Sequence, residues 1–170
     1  MSPTSIQIRD ARPGDAEAIR AIYNDAVINT TAVFDYVARE PQAQVDWLTM
    51  KAEQKLPVLV AENAAGRVLG YCSYGPFRPW PAYLYTVENA IYVAPDARGQ
   101  GIGKRLLPPL LEIAKARGLR TMIAGITADN AASLRLHEKF GYEQAGVIRE
   151  AGWKFERWLD LVFLQRMLQA

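Results

Sequence analysis

Among its 170 residues the chain has one cysteine and one histidine. A lone thiol excludes an internal disulfide framework, and Cys72 stands in "VLGYCSYG", a strand-like stretch where a small buried hydrophobe is expected rather than a nucleophile. One histidine and a distant cysteine offer no ligand cluster, so no metal is expected. Neither sign of charge dominates: 20 Lys and Arg oppose 18 Asp and Glu. That balance excludes a broad field for nucleic acid or an anionic membrane, so any anion site must be local. The opening "MSPTSIQIRDARPGD" has neither the apolar run of a signal peptide nor the basic amphipathic character of a transit peptide, and no segment is apolar enough to span a bilayer. A soluble cytoplasmic protein is expected. Repeats, linkers and low-complexity tracts are also missing. What is present is 50% hydrophobic content over a length that suits one domain, residues 1–170.

Ile6 and Ile8 alternate with polar residues as in a strand, and "RPGDAEAIRAIYNDAV" follows with helix-start residues and Ile19, Ile22 and Tyr23 at helical spacing. "EPQAQVDWLTMKAEQK" predicts a second helix, with Pro41 in its first turn and Val45, Leu48 and Met50 partly striping one face. "LPVLVAE" and "RVLGYCSYG" flank the turn residues 63–66 as a hairpin, "PFRPWPAY" makes a ring-lined loop, and "LYTVENAIYVAP" is a fourth strand ending at Pro95. A third helix buries Leu106, Leu107, Leu110, Leu111 and Ala114 and stops at Gly118, with a bend or break expected at Pro108 and Pro109. "LRTMIAGIT" is a strand, "DNAASLRLHEKFG" a helix capped by Asp129 or Asn130, and the tail alternates like two final strands. About seven strands and four helices indicate an α/β or α+β domain with a mixed sheet.

"ARGQGIGKRL", residues 97–106, joins a strand to a helix. A P-loop fails here, because Arg98 stands where its first glycine belongs and Arg105 where its hydroxyl belongs. A dinucleotide fingerprint fails as well: Lys104 takes the third glycine's place and the next strand ends without an acid. What remains is a glycine turn whose bare N–H groups, at a positive helix end, suit a pyrophosphate without metal, or else a tight turn that needs glycine only for its dihedrals.

Arg98-x-x-Gly101-x-Gly103 resembles the coenzyme A signature of the GNAT acyltransferase superfamily, and Asn130, Ser133 and "LHEKFGY" resemble the element closing its acyl-CoA cleft. "YNDAVINTTAVF", "VENAIYV", "DNAASLRLHEKFGY" and "KFERWLDLVFLQ" are similar to the phosphinothricin and methionine sulfoximine N-acetyltransferases, over about Ile6 to Leu168. The resemblance implies the GNAT fold, with a mostly antiparallel mixed sheet, acetyl-CoA as co-substrate and a homodimer. It also implies transfer of acetyl to the α-amino group of a small amino acid or analogue such as methionine sulfoximine, methionine sulfone or phosphinothricin. A protein or peptide N-acetyltransferase and a non-catalytic acyl-CoA-binding module are the alternatives.

Residue by residue, the resemblance implies that Glu88 is the base and that Ile91 and Val93 bond the pantetheine through their backbone. Arg98, Gly99, Gln100, Gly101, Ile102, Gly103 and Lys104 then hold the diphosphate, with Asn130 and Ser133 at the cleft. It also puts His137 where many members carry a proton-donating tyrosine, and Ala90 where they usually carry serine. An unperturbed glutamate is a feeble base for an ammonium, so burial or a relaying water is required; the other reading of Glu88 is a solvent-facing strand carboxylate. His137 is either an acid or base near neutrality or a hydrogen-bonded core residue. An α-carboxylate calls for a guanidinium, and Arg78 is the candidate, with Arg39, Arg149 and Arg157 as competitors. Phe77, Tyr83 and Tyr36, with Trp80, are candidate pocket walls, and alternation puts Tyr92 on the face of Glu88.

Overall fold

A computed structural model describes residues 5–169; residues 1–4, the start of the stretch read for a targeting signal, and residue 170 lie outside it. Ile6 and Ile8 belong to β1 (Ile6–Asp10). Its Arg9 bridges Asp15 and Glu62, and the hydrogen bond from that guanidinium holds the Asp15 carboxyl below the usual aspartate range. Pro13 fixes the first dihedral of a short turn, and α1 (Ala16–Asn29) then buries Ile19, Ile22, Tyr23, Ala26 and Val27 along one stripe. α2 (Pro41–Glu53) starts at its proline, but the residues it buries are Gln44 and Lys51. Val45 is exposed and Leu48 and Met50 only half-buried, so the expected apolar stripe is not the face turned inward. The long stem of Lys51 explains the difference, since its ammonium reaches under the helix to the Tyr74 carbonyl at 2.8 Å.

β2 (Val58–Asn63) and β3 (Val68–Pro76) form the expected hairpin; Asn63 Oδ1 accepts from the Ala65 and Arg67 N–H groups within its turn. β4 (Thr86–Val93), α3 (Ile102–Ala116), β5 (Thr121–Thr127), α4 (Ala131–Lys139), β6 (Glu143–Lys154) and β7 (Arg157–Met167) complete the fold. The sheet runs β1-β2-β3-β4-β5-β7-β6, with β4–β5 its one parallel pair among the described residues. This is the mixed, mostly antiparallel seven-stranded sheet expected. Contrary to expectation, α3 runs unbroken through Pro108 and Pro109. Complete burial of Leu106, Leu107 and Leu110 holds it, and the carbonyls the prolines leave without a donor belong to exposed Lys104 and Arg105.

The two faces of β4 serve different layers. Tyr92 meets Tyr23 of α1 edge-on at 5.6 Å, while Asn89 lies 3.0 Å from His137 of α4, so even-numbered residues face α1 and α2 and odd-numbered ones face α3 and α4. In the plane of the sheet the alternation sorts the backbone as well. Ala94 N–H donates to Leu69 and Phe77 N–H to Thr86, which turns the peptide groups of even-numbered β4 residues toward β3. Those of odd-numbered residues turn toward β5. Pairing with β5 covers only Thr86 to Glu88, so the strands part immediately afterwards. The register against β3 continues unshifted from Val87 to Val93, and the opening therefore arises by divergence from β5, without a bulge on the β3 side.

Candidate active site

The fork between β4 and β5 leaves Ile91 and Val93 with polar backbone groups directed into the gap, where no strand receives them. Glu88 sits at the apex of the fork. A cavity of about 460 Å³ opens beside it, with Tyr92, Gly125, Asn130, His137 and Phe34 also in its walls. Burial pushes the Glu88 carboxyl above the ordinary glutamate value, while the charge of Arg78 and a hydrogen bond from the Gly125 backbone pull it back. Gly125 is what lets the carboxylate lie across β5: a methyl group there would stand 2.8 Å from Glu88 Oε1. Sequence reasoning passed over Gly125, although a glycine inside an apolar strand is itself a sign of close approach.

Beyond the fork a cavity of about 730 Å³ runs to the start of α3. Its glycines are there for two separate reasons. Gly99 (φ +78°) and Gly101 (φ +79°) adopt left-handed backbone with open space where a side chain would be, whereas Gly103 is bare because a methyl group would stand 2.8 Å from Leu136 of α4. No side chain caps α3, so its first N–H groups remain available to an anion in the cavity, where Lys104 and Arg135 add positive charge and Arg157 is paired with Asp129. Ile91, Val93, Arg98, Ile102, Asn130 and Ser133 also line this space. Gln100 does not; its amide donates to the Asp96 carbonyl. The Arg98 guanidinium is engaged as well, with Asp25 of α1 and the Val93 carbonyl. Asn130, rather than Asp129, caps α4, its Oδ1 accepting from Ser133 N–H at 3.1 Å.

His137 forms the floor on the α4 side, 3% exposed. The Tyr142 hydroxyl donates to Asn89 Oδ1 at 2.9 Å, Asn89 Nδ2 lies 3.0 Å from His137 Nε2, and Nδ1 lies 2.8 Å from the Ser133 carbonyl. An amide nitrogen only donates and a carbonyl only accepts, so the ring is neutral with its proton on Nδ1. Burial lowers its pKa in the same sense. To act as a proton donor it must first open the Nδ1–H bond to the Ser133 carbonyl.

Of the residues expected at the acceptor, Tyr92 lines the cavity and the others stand outside its walls. Tyr36 is exposed, and its hydroxyl donates to the Trp153 carbonyl, fastening the loop after α1 to β6. Phe77 packs edge-on against Tyr83 at 5.6 Å and Phe163 at 6.1 Å. Arg78 lies over the Phe77 ring at 4.2 Å and donates to the Phe77 carbonyl, exposed but close enough for its charge to act on Glu88. The wall that sequence reasoning missed is Phe34, whose ring covers Gly152 so closely that a methyl group there would stand 2.6 Å from it. No periodicity marks Phe34, and the one signal that includes it is the family-like stretch "YNDAVINTTAVF" that it closes; its position depends on the loop tied down by Tyr36 and by Lys154, which donates to the Val27 and Val33 carbonyls.

Among the described residues no helix is long and apolar enough to cross a membrane, and no three His, Cys, Asp or Glu side chains group to hold a metal ion. Comparison with known proteins agrees with this geometry. The chain is 48% identical over 161 residues, 95% of its length and 94% of the relative's, to an L-methionine sulfoximine/L-methionine sulfone acetyltransferase of Pseudomonas aeruginosa. An N-acetyltransferase structure from Staphylococcus aureus superposes with a TM-score of 0.96 at 47% identity, covering 98% of this chain and all of that one. A phosphinothricin acetyltransferase from Sinorhizobium meliloti, solved in complex with acetyl-CoA, superposes with a TM-score of 0.92 at 36% identity over 95% of this chain and 88% of that one. The Acetyltransferase (GNAT) family profile matches residues 18–142, and with these identities over nearly its whole length the chain belongs to the GNAT acetyltransferase family.

Proposed function

We propose that the protein moves the acetyl group of acetyl-CoA to the α-amino group of a small amino acid or analogue, with methionine sulfoximine, methionine sulfone and phosphinothricin as the first acceptors to test, and that residues 1–170 act as one domain. The observation that carries this reading is the position of Glu88. A carboxylate with a raised pKa stands at the apex of a strand fork, between an acceptor-sized cavity and a longer one ending at uncapped helix amides. The relatives named for these acceptors, and the one that binds acetyl-CoA, lend it chemical direction.

In this reading the α3 amides at Gly101 to Lys104 hold the coenzyme diphosphate, and Ile91 and Val93 bond the pantetheine amides as an added strand would. Acetyl-CoA supplies an activated thioester. The acceptor reaches Glu88 as an ammonium and attacks only once neutral, so Glu88 takes its proton directly or through a water. Burial that raises the carboxyl pKa brings it nearer the amine and eases the transfer. A C–N bond forms, the C–S bond breaks, and the departing thiolate takes up a proton. His137 is the titratable group able to return one from the α4 side of β4 once its Nδ1–H bond to the Ser133 carbonyl opens. Arg78 grips the α-carboxylate by swinging off the Phe77 ring.

A homodimer in the cytoplasm, where acetyl-CoA is drawn on as a metabolite, completes the proposal. Its support is the exposed aromatic cluster of Trp153, Phe155 and Trp158 at the end of β6 and β7. The test follows thiol release from acetyl-CoA across these acceptors, ordinary amino acids and short peptides. Amine-dependent release with free amino acids and none with peptides is expected; release with peptides alone would overturn the assignment.

A further inference from the structure

A third cavity, of about 230 Å³, lies beneath α2 on the face of β4 that looks away from α3. Arg39, Lys51, Tyr71 and Ser73 line it, and it shares Glu88, Ala90 and Tyr92 with the cavity beside the fork. Two cations line it, and among the described residues neither Arg39 nor Lys51 forms an ion pair. The Arg39 guanidinium lies flat over the Tyr23 ring at 3.9 Å and spends one donor on Gln44 Oε1. The Lys51 ammonium, buried 5.4 Å from the Trp47 ring, has one bond, to the Tyr74 carbonyl. Four guanidinium N–H groups and two ammonium N–H groups are left over. A desolvated ammonium with spare donors, as at Lys51, is costly to keep in a fold unless an anion meets it. Burial draws the Lys51 ammonium down to about 8, as expected where no acid sits beside it.

Glu88 is the sole acid in the lining. The space therefore holds both signs of charge: Glu88 attracts an ammonium, and Arg39 and Lys51 attract an anion. The ring of Tyr92 and the small side chain of Ala90 also line it, walls suited to a few methylene groups. On the acetyltransferase reading above, we infer that this cavity is the far end of the acceptor site and that Arg39 and Lys51 are specificity residues selecting acceptors whose side chain ends in a second acidic group, a carboxylate or phosphinate, over acceptors with a neutral tail. A planar guanidinium and a point-like ammonium together match two acid oxygens on one centre.

The test compares paired acceptors of similar length, phosphinothricin and glutamate against methionine sulfone and glutamine, by thiol release with wild type, Arg39→Gln and Lys51→Met. Gln keeps a planar group over Tyr23, and Met keeps the stem of Lys51, so both variants guard against simple unfolding, which a melting curve checks. The expected result is a rise in KM of about tenfold or more for the acid-tailed acceptors, from loss of a charge-assisted hydrogen bond, with kcat held and KM for the neutral-tailed ones within about twofold. Equal losses for both classes would mean that the cations read the α-carboxylate, and no loss in either would mean that they read nothing; each overturns this inference and leaves the acetyltransferase reading standing. If no acceptor gave thiol release in the wild type, both would fall together.

Discussion

The two sides of the fork between β4 and β5 are built by opposite means. Toward α3 and α4 the groups that face a ligand are backbone: the uncapped amides after Gly99 and Gly101 and the peptide groups of Ile91 and Val93 that no strand receives. Toward α1 and α2 they are side chains, with Glu88, Arg39, Lys51 and the rings of Tyr92 and Phe34 converging from separate segments. Backbone recognition suits the invariant part of a substrate, since amides cannot be exchanged by mutation. Side-chain recognition suits the part that differs between acceptors. The difference teaches which substitutions change turnover and which change the grip on coenzyme.

The sharpest way to break that division is Glu88→Gln, which removes the proton acceptor and keeps the shape. A fall in kcat of about 100-fold or more is expected, with KM for acetyl-CoA and the melting temperature little changed. Residual turnover near the wild-type rate would detach the chemistry from the side-chain half altogether. The wild-type pH profile offers a companion measurement. Because burial raises the Glu88 pKa, the base is lost as pH falls through a value above the ordinary 4.5, so the acid limb of kcat/KM should lie above that value and vanish in the variant.

Next in size is Gly125→Ala. The added methyl group would lie 2.8 Å from Glu88 Oε1, the end of a flexible side chain, so the carboxylate moves and β5 stays. Displacing a base by about an ångström costs roughly tenfold or more in kcat. The same variant should bind acetyl-CoA normally by calorimetry. An unchanged kcat would show that Glu88 works through water from wherever it sits.

The division also explains what could be read from the chain. The glycine turn, the Asn130 cap and the strand carrying Glu88 were legible because each is a local pattern, with glycine, a cap residue or alternation within a few positions. Seven strands and four helices followed from the same periodicities. The acceptor side was poorly legible. Tyr36, Phe77 and Tyr83 were candidate walls as aromatic side chains, yet they serve as fasteners and packing, while Phe34 lines it from a loop whose course is set by hydrogen bonds to β6. Lys51 was hidden by a helix whose apolar residues suggested another buried face. Pro108 and Pro109 misled in the opposite direction, because local propensity yielded to a fully buried leucine stripe.

On the backbone half, Gly101→Ala places a side chain on left-handed backbone with open space around it. Strain of about 1 kcal/mol follows, and the turn can relieve it only by shifting the amides that face the cavity. A several-fold rise in KM for acetyl-CoA with kcat nearly constant is the expected signature. A loss confined to kcat would contradict the assignment of this turn to coenzyme binding.

The smallest effect tests the same dihedral with the opposite sign. The β6–β7 hairpin turns through Phe155 (φ +51°) and Glu156 (φ +57°), a two-residue loop between the paired Lys154 and Arg157, in backbone that elsewhere in this chain is mostly left to glycine. Phe155 has a reason to stay, since its ring lines the larger cavity; Glu156 is outside that lining. Glu156→Gly should therefore relieve strain without touching a ligand. Freeing a left-handed residue gains about 1–2 kcal/mol, and the added freedom of glycine in the unfolded chain takes back about 0.5–1 kcal/mol. The net gain, about 0.5–1 kcal/mol, raises Tm by roughly 2 °C in a domain of this size, with kcat and both KM values unchanged. A lower Tm would mean that the Glu156 side chain holds the hairpin through a contact worth more than the strain, and the two left-handed turns would then no longer be equivalent in backbone terms.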